Sequence, residues 1–144
     1  MPKTKVKLKV SLPAYPEKGT AGVARPGMAW RRDLYRAIKA TAGTRQYEGE
    51  QFECDVVLYV SPERLNINDI DNLLKHVFDA LQGRLGGPKG GKRRWALIPN
   101  DYQIRRVTVE KRQAAKNRRS RLIVRDYVQS SRRRHATAQK PGEE

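Results

Sequence analysis

Cysteine is nearly absent from this chain: Cys54 stands alone. A single cysteine excludes an intrachain disulfide and fits a reducing compartment. Histidine is almost as scarce, with only His76 and His135, so one chain cannot assemble a four-ligand zinc site of Cys and His. Long apolar runs are missing too. No stretch reaches the roughly 18 residues a membrane span requires. No apolar segment of signal-peptide length stands near the N-terminus, so a soluble, unsecreted, intracellular domain is expected. Hydrophobic residues make up 38% of the 144, short of the roughly 45–50% common in globular chains, which limits the core to a small one. Acid is the last shortage: 15 Asp and Glu against 31 Lys and Arg leave a net charge of +16.

That field draws polyanions, nucleic acid first among them. Half of the excess lies in residues 111–144, where eleven basic side chains face three acidic ones. Lys111-Arg112, Lys116 with Arg118-Arg119 and Arg121, and Arg132-Arg133-Arg134 form three clusters there. Any one of them reads equally well as a solvated surface. Together they favour a nucleic-acid binder, although charge alone does not choose between DNA, RNA and an anionic membrane surface.

Hydrophobic periodicity places the elements. Lys5 to Leu12 alternates, with Val6, Leu8, Val10 and Leu12 on one face of a strand. Residues 13–27, with three prolines and three glycines, read as a loop. Trp30 to Thr41 sets Trp30, Leu34, Ala37, Ile38 and Thr41 at helical spacing. Phe52 to Val60 is a central strand in which Cys54 packs rather than reacts. Asn68 to Leu81 is the clearest helix, striped by Ile70, Leu73, Leu74, Val77 and Leu81 and opened by Asn68 or Asp69 as N-cap. Trp95 to Ile98, Gln103 to Val109 and Arg121 to Val128 are further strands, the second with Ile104, Val107 and Val109 only roughly in phase. The expectation is one α+β domain over residues 1–128, with a mixed sheet and two main helices. A glycine-rich basic loop (83–94) and a basic tail (129–144) are read as flexible. Trp30 and Trp95 are assigned to the core and His76 to the surface.

The acids say more than the bases. Asp69 and Asp71 stand at a helix start. Each has an ordinary role available, Asp69 as a cap and Asp71 as a first-turn carboxylate facing the helix dipole. As a pair they repel unless a cation lies between them, and hard oxygens suit Mg²⁺ or Mn²⁺. Lys75, one turn on, is either an i,i+4 surface partner or a cation for charge developing on a phosphoryl group. Asp79 reads as a partner for Lys75, with a ligand role as the alternative. Asp101, after Ile98-Pro99-Asn100, is a turn residue or a third carboxylate of the same site. EF-hand, P-loop and G-x-S-x-G patterns are absent.

The run Asp69-Ile70-Asp71-Asn72-Leu73-Leu74-Lys75-His76-Val77-Phe78-Asp79-Ala80-Leu81, followed after a loop by Ile98-Pro99-Asn100-Asp101 and a β-rich segment from Ile104, resembles the RusA family of Holliday-junction resolvases. The family pattern is D-x-D-N-x-x-K-x-x-x-D-x-L, then a D-D pair and a strand. It spans roughly residues 66–112. This chain has Asn100-Asp101 where the family has two acids. The resemblance implies a RusA-like homodimer acting as a Mg²⁺-dependent endonuclease on branched DNA in recombination and repair. Mn²⁺ is a possible substitute, and no small-molecule cofactor is implied. It implies metal-binding carboxylates at Asp69, Asp71 and Asp101 and a catalytic lysine at Lys75. It places the protein in the cytoplasm, on nucleoid DNA. Lys89, Lys92, Arg93 and Arg94 of the loop, with Arg118 and Arg119, are the expected DNA contacts. The competing reading is a non-catalytic basic protein bound to DNA or to the ribosome, in which Asp69 caps a helix and Asp101 makes a turn.

Overall fold

The computed structural model describes residues 5–16, 26–86, 95–114 and 118–129. In chain order they form β1 (Val6–Leu12), α1 (Pro26–Ala42), β2 (Phe52–Val60), α2 (Pro62–Leu65), α3 (Ile70–Leu81), a 3₁₀ turn (Asp101–Gln103), β3 (Ile104–Gln113) and β4 (Ser120–Asp126). The sheet order is β1-β4-β2-β3. β4 runs antiparallel to both neighbours, and β2 and β3 are parallel. Parallel neighbours need a crossover, and α2 with α3 supplies it. The described residues form a small α+β domain with a mixed four-stranded sheet and three helices, of which α1 and α3 are the two main ones expected and α2 is a single short turn.

Alternation in the strands explains where the core lies. Phe52, Cys54, Val56, Leu58 and Val60 are buried, and the residues between them are half-exposed. Leu8, Val10, Leu12, Leu122 and Val124 extend the same face across β1 and β4. Trp30, Leu34 and Ile38 of α1 and Leu73, Val77 and Leu81 of α3 close it, each essentially inaccessible to solvent. Each such side chain contributes roughly 1.5–3 kcal/mol by burial. The opposite face of the sheet stays polar, with Lys9, Ser11, Arg121, Thr108, Glu110 and Arg112 exposed.

Several expectations are corrected. α1 begins at Pro26, inside the segment read as a loop, because proline suits the first helical position. Gly27 follows because the helix passes close to α3: a Cβ there would meet His76 Nε2 at 2.7 Å. Ile98 belongs to no strand. Residues 95–100 instead form a bent segment tied back by an Ile98 N–H bond to Leu81 O of 3.2 Å. β3 proves to be in phase. The β2–β3 register shifts between Phe52 and Glu53, so Phe52 pairs with Ile104 but Cys54 with Val107 and Val56 with Val109. One extra residue in β3 brings Ile104, Val107 and Val109 to the same side. α3 ends where Gly83 takes a positive φ of 70°. Its N–H reaches Ala80 O at 3.1 Å, and the Arg84 N–H reaches Asp79 O at 2.8 Å, a Schellman closure.

Candidate metal and nucleic-acid site

α3 carries most of the expected site. Its N-cap is Asp69, extended at φ −72°, ψ 149°, but the Asp69 side chain makes no capping hydrogen bond. The ordinary role offered by its position is therefore not taken up. Asp71, in the first turn, accepts from the Asn72 N–H at 2.9 Å. Both residues are exposed. Behind them, Lys111 of β3 donates to Leu65 O at 2.5 Å and to Asn68 O at 2.7 Å, which fixes the turn that presents Asp69. Asn68 is buried, and its Oδ1 has no hydrogen-bond partner among the described residues, nor have Ser61 Oγ and Arg64 Nε.

Lys75 bonds Asp79 at 3.1 Å, and Asp79 also pairs with Arg31 at 3.1 Å. Asp79 is thus a structural partner, as its spacing suggested. Lys75 keeps 67% of its side chain exposed. An exposed i,i+4 pair is worth only about 0.3–0.5 kcal/mol, so its ammonium is cheaply released toward a phosphate. His76 is not a surface residue. It is 9% exposed, lies edge-on to Trp30 at 5.9 Å and accepts from Arg31 Nε at 3.1 Å. Burial lowers its pKa below the ordinary 6.5, and the adjoining Arg31 lowers it further.

Asp101 lies elsewhere. It opens the 3₁₀ turn that leads into the first residue of β3, whereas the Asp69 turn is clamped to Lys111, seven residues further along that strand. At about 3.3 Å per residue, Ile104 and Lys111 stand roughly 23 Å apart along β3. Gln103 anchors the Asp101 end, donating to Tyr47 O at 2.7 Å and Glu50 O at 2.9 Å. Asn100 closes the turn: its N–H donates to Gln103 Oε1 at 3.1 Å. Among the described residues, no group of three or more His, Cys, Asp or Glu gathers to hold a metal ion. The convergence of Asp69, Asp71 and Asp101 within one chain is accordingly not seen.

The remaining acids are mostly spoken for. Asp33, Glu50, Glu53, Asp55, Asp79, Glu110 and Asp126 each pair with a Lys or Arg within 4.0 Å. Asp69, Asp71 and Asp101 have no such partner among the described residues, and Glu48 shares that condition. For a chain of +16 this is notable, because a carboxylate in such a field gains by pairing.

Cys54 is inert, as its place in β2 suggested. Burial, with the neighbouring charges of Asp55 and Glu53, pushes its thiol up to about 12, so almost no thiolate forms at neutral pH. Trp30 lies in the core, where its indole N–H donates to Pro13 O at 2.9 Å. Trp95 is only half-buried, edge-on to Tyr35 at 6.0 Å. Arg118 stacks over the Tyr59 ring at 4.5 Å, and Arg119 bonds Ser11. Lys89, Lys92, Arg93 and Arg94 lie outside the described residues, as does the tail from residue 130. The sequence places Lys111 with Arg112 in a basic cluster and gives no sign of its backbone contacts, because Leu65 O and Asn68 O lie more than 40 residues away in the chain. No helix among the described residues is long and apolar enough to cross a membrane. No family model matches this chain, and no curated protein matches it.

Proposed function

We propose that this protein is a Mg²⁺-dependent, structure-selective endodeoxyribonuclease that resolves four-way DNA junctions by paired phosphodiester hydrolysis, as its resemblance to the RusA family implies. The observation that carries the reading is that Asp69, Asp71 and Asp101 stay without a basic partner among the described residues of a strongly basic chain. Two exposed carboxylates at Asp69 and Asp71 fit a hard cation, since Mg²⁺ commonly takes one or two carboxylates and fills its shell with water and substrate oxygens. When bound, the ion supplies Lewis-acid polarisation of the phosphodiester and acidifies water for hydrolysis.

The chain's own groups do the rest. Lys75, released from its exposed pair with Asp79, offers its ammonium to the phosphoryl oxygens. Lys111 holds the turn so that Asp69 and Asp71 keep their place. Asp101, anchored at the opposite end of β3, would complete the site from a second copy. A two-fold dimer would carry two such composite sites, one for each strand to be cut. The protein would act in the cytoplasm, on nucleoid DNA.

The separation of Asp101 from Asp69 also favours a second reading, a basic nucleic-acid-binding protein without catalysis. A labelled four-way junction incubated with Mg²⁺ or with EDTA decides between them. Symmetric nicks that vanish in EDTA support the nuclease. Binding indifferent to EDTA, with no product at any metal concentration, supports the binder.

A further inference from the structure

A second feature lies on the face of the sheet turned away from the helices. A cavity of about 430 Å³ opens there among Lys9, Ser11, Tyr59, Arg118, Arg119 and Arg121. Its volume is in the range of ligand clefts, about 300–1,000 Å³. Three strands build it. Ser11 of β1 pairs across to Arg121 of β4, and Arg121 pairs to Val57 of β2, so Ser11 and Arg121 share one face with Lys9 and Tyr59.

We propose that this cavity binds the phosphodiester backbone of a nucleic-acid strand. Four cations line it and no carboxylate does. None of the four pairs with an acid among the described residues, whereas Lys7, Arg106, Arg112 and Arg125 on the same sheet are each held by one. Two of the four are already ordered. Arg119 donates from Nε to Ser11 Oγ at 2.6 Å and from a terminal nitrogen to Ser11 O at 2.8 Å. The Arg118 guanidinium lies over the ring of Tyr59, whose hydroxyl accepts from Arg112 at 3.3 Å. Guanidinium groups fixed before binding lose little rotamer freedom on meeting a phosphate, and their planar forks match its oxygens. Contacts from these cations to phosphate oxygens position a strand and carry no sequence information themselves. The cavity lies at the Lys111 end of the β2–β3 pair, where Tyr59 pairs with Arg112. Asp69 and Asp71 stand at the same end of that pair, on the helix side of the sheet. That the strand is junction DNA rests on the function proposed above. The phosphodiester affinity does not.

The test is fluorescence anisotropy of a labelled four-way junction in EDTA over a salt series, so that cleavage plays no part. Arg118→Ala with Arg121→Ala is compared with Arg32→Ala with Lys39→Ala, which removes equal charge from exposed positions of α1. The cavity variant should bind at least tenfold more weakly, and its plot of log K against log salt should be shallower by about 2, near 0.9 for each phosphate no longer neutralised. The α1 variant should move both readings far less. Lys9→Gln, on a different strand, should weaken binding in the same sense if the paired variant misfolds. Equal losses in the two paired variants, or no loss in the cavity variants, would overturn the site. So would a loss seen only on phosphatidylserine vesicles, which would make the ligand a lipid surface. If the cavity variants weaken binding while the wild type never nicks the junction in Mg²⁺, the site stands and only the enzymatic reading falls.

Discussion

The two ends of strand β3 are built from opposite chemistry. At one end Lys111 reaches across to two backbone carbonyls on the helix side and props up a turn carrying Asp69 and Asp71, while Arg112, Arg118, Arg119 and Arg121 occupy the opposite face of the sheet. At the other, a neutral amide, Gln103, ties the 3₁₀ turn opened by Asp101 to the 47–50 segment, where Glu50 pairs with Lys7 at 3.5 Å. The first end sets cations on one face of the sheet and acids without a basic partner on the helix side. The second leaves Asp101 without a basic partner among the described residues. On the function proposed above a hydrolytic site uses both, and two copies would bring the unlike ends together.

The sharpest way to break this is to neutralise one acid at each end. Asp71→Asn should lower cleavage of a four-way junction by at least about 100-fold, because several kcal/mol of charge stabilisation would disappear. Junction binding should persist, or tighten as a repulsive charge leaves. Asp101→Asn should behave likewise. Mixed after refolding together, the two inactive variants should regain activity, since a mixed dimer keeps one intact composite site. Quantitative gel analysis of nicked product settles it. If the mixture stays as dead as its components, Asp101 does not act with the partner's carboxylates.

A smaller effect separates the two anchors. Lys111→Met strips the donor from Leu65 O and Asn68 O, and hydrogen bonds from a charged group are worth about 1.5–3 kcal/mol. Melting should shift down accordingly, and cleavage should fall while binding holds. Gln103→Leu leaves Tyr47 O and Glu50 O without that donor, at a cost of about 1–3 kcal/mol, and should disturb cleavage less, because it loosens one acid rather than two. Denaturant melts and single-turnover rates of both variants make the comparison. A larger rate loss in Gln103→Leu would reverse the ranking of the two ends.

How far the sequence exposes this arrangement depends on the range of the interaction. Period-2 burial in Phe52–Val60 and the helical spacing of Trp30, Leu34 and Ile38 are local, and both elements stand where their patterns place them. The start of α1 is hidden because Pro26 and Gly27 carry turn signals, and only the packing of Gly27 against His76 shows why a glycine is needed inside the helix. The phase of β3 is blurred by an extra residue whose effect emerges only against β2. His76 looks exposed when its helix face is judged by the stripe Ile70–Leu74. In the structure the buried side turns toward Leu73, His76 and Ala80, while Ile70 is 39% exposed. Asp69, Asp71 and Lys75 can be marked as a group because they are neighbours on one helix. Nothing local states how far Asp101 lies from them, since that distance is set by the length of β3 and by the crossover.

The smallest expected effect concerns His76, which packs beneath the Asp79–Lys75 pair. It is shielded from water and faces the guanidinium of Arg31, with the Asp79 carboxylate as the nearby group favouring its charge. Its folded pKa is therefore below the unfolded value. The unfolded chain takes up the proton first as pH falls through about 6.5, so stability is full above that pH and declines below it. His76→Gln cannot bind that proton and should flatten this slope, leaving only the decline caused by carboxylates at lower pH. Urea melts between pH 7.5 and about 5 would show it. Junction affinity of the two proteins at neutral pH should agree, because the imidazole is uncharged there and takes no part in binding. An unchanged slope would mean that the Arg31–His76 hydrogen bond does not hold the imidazole neutral in solution.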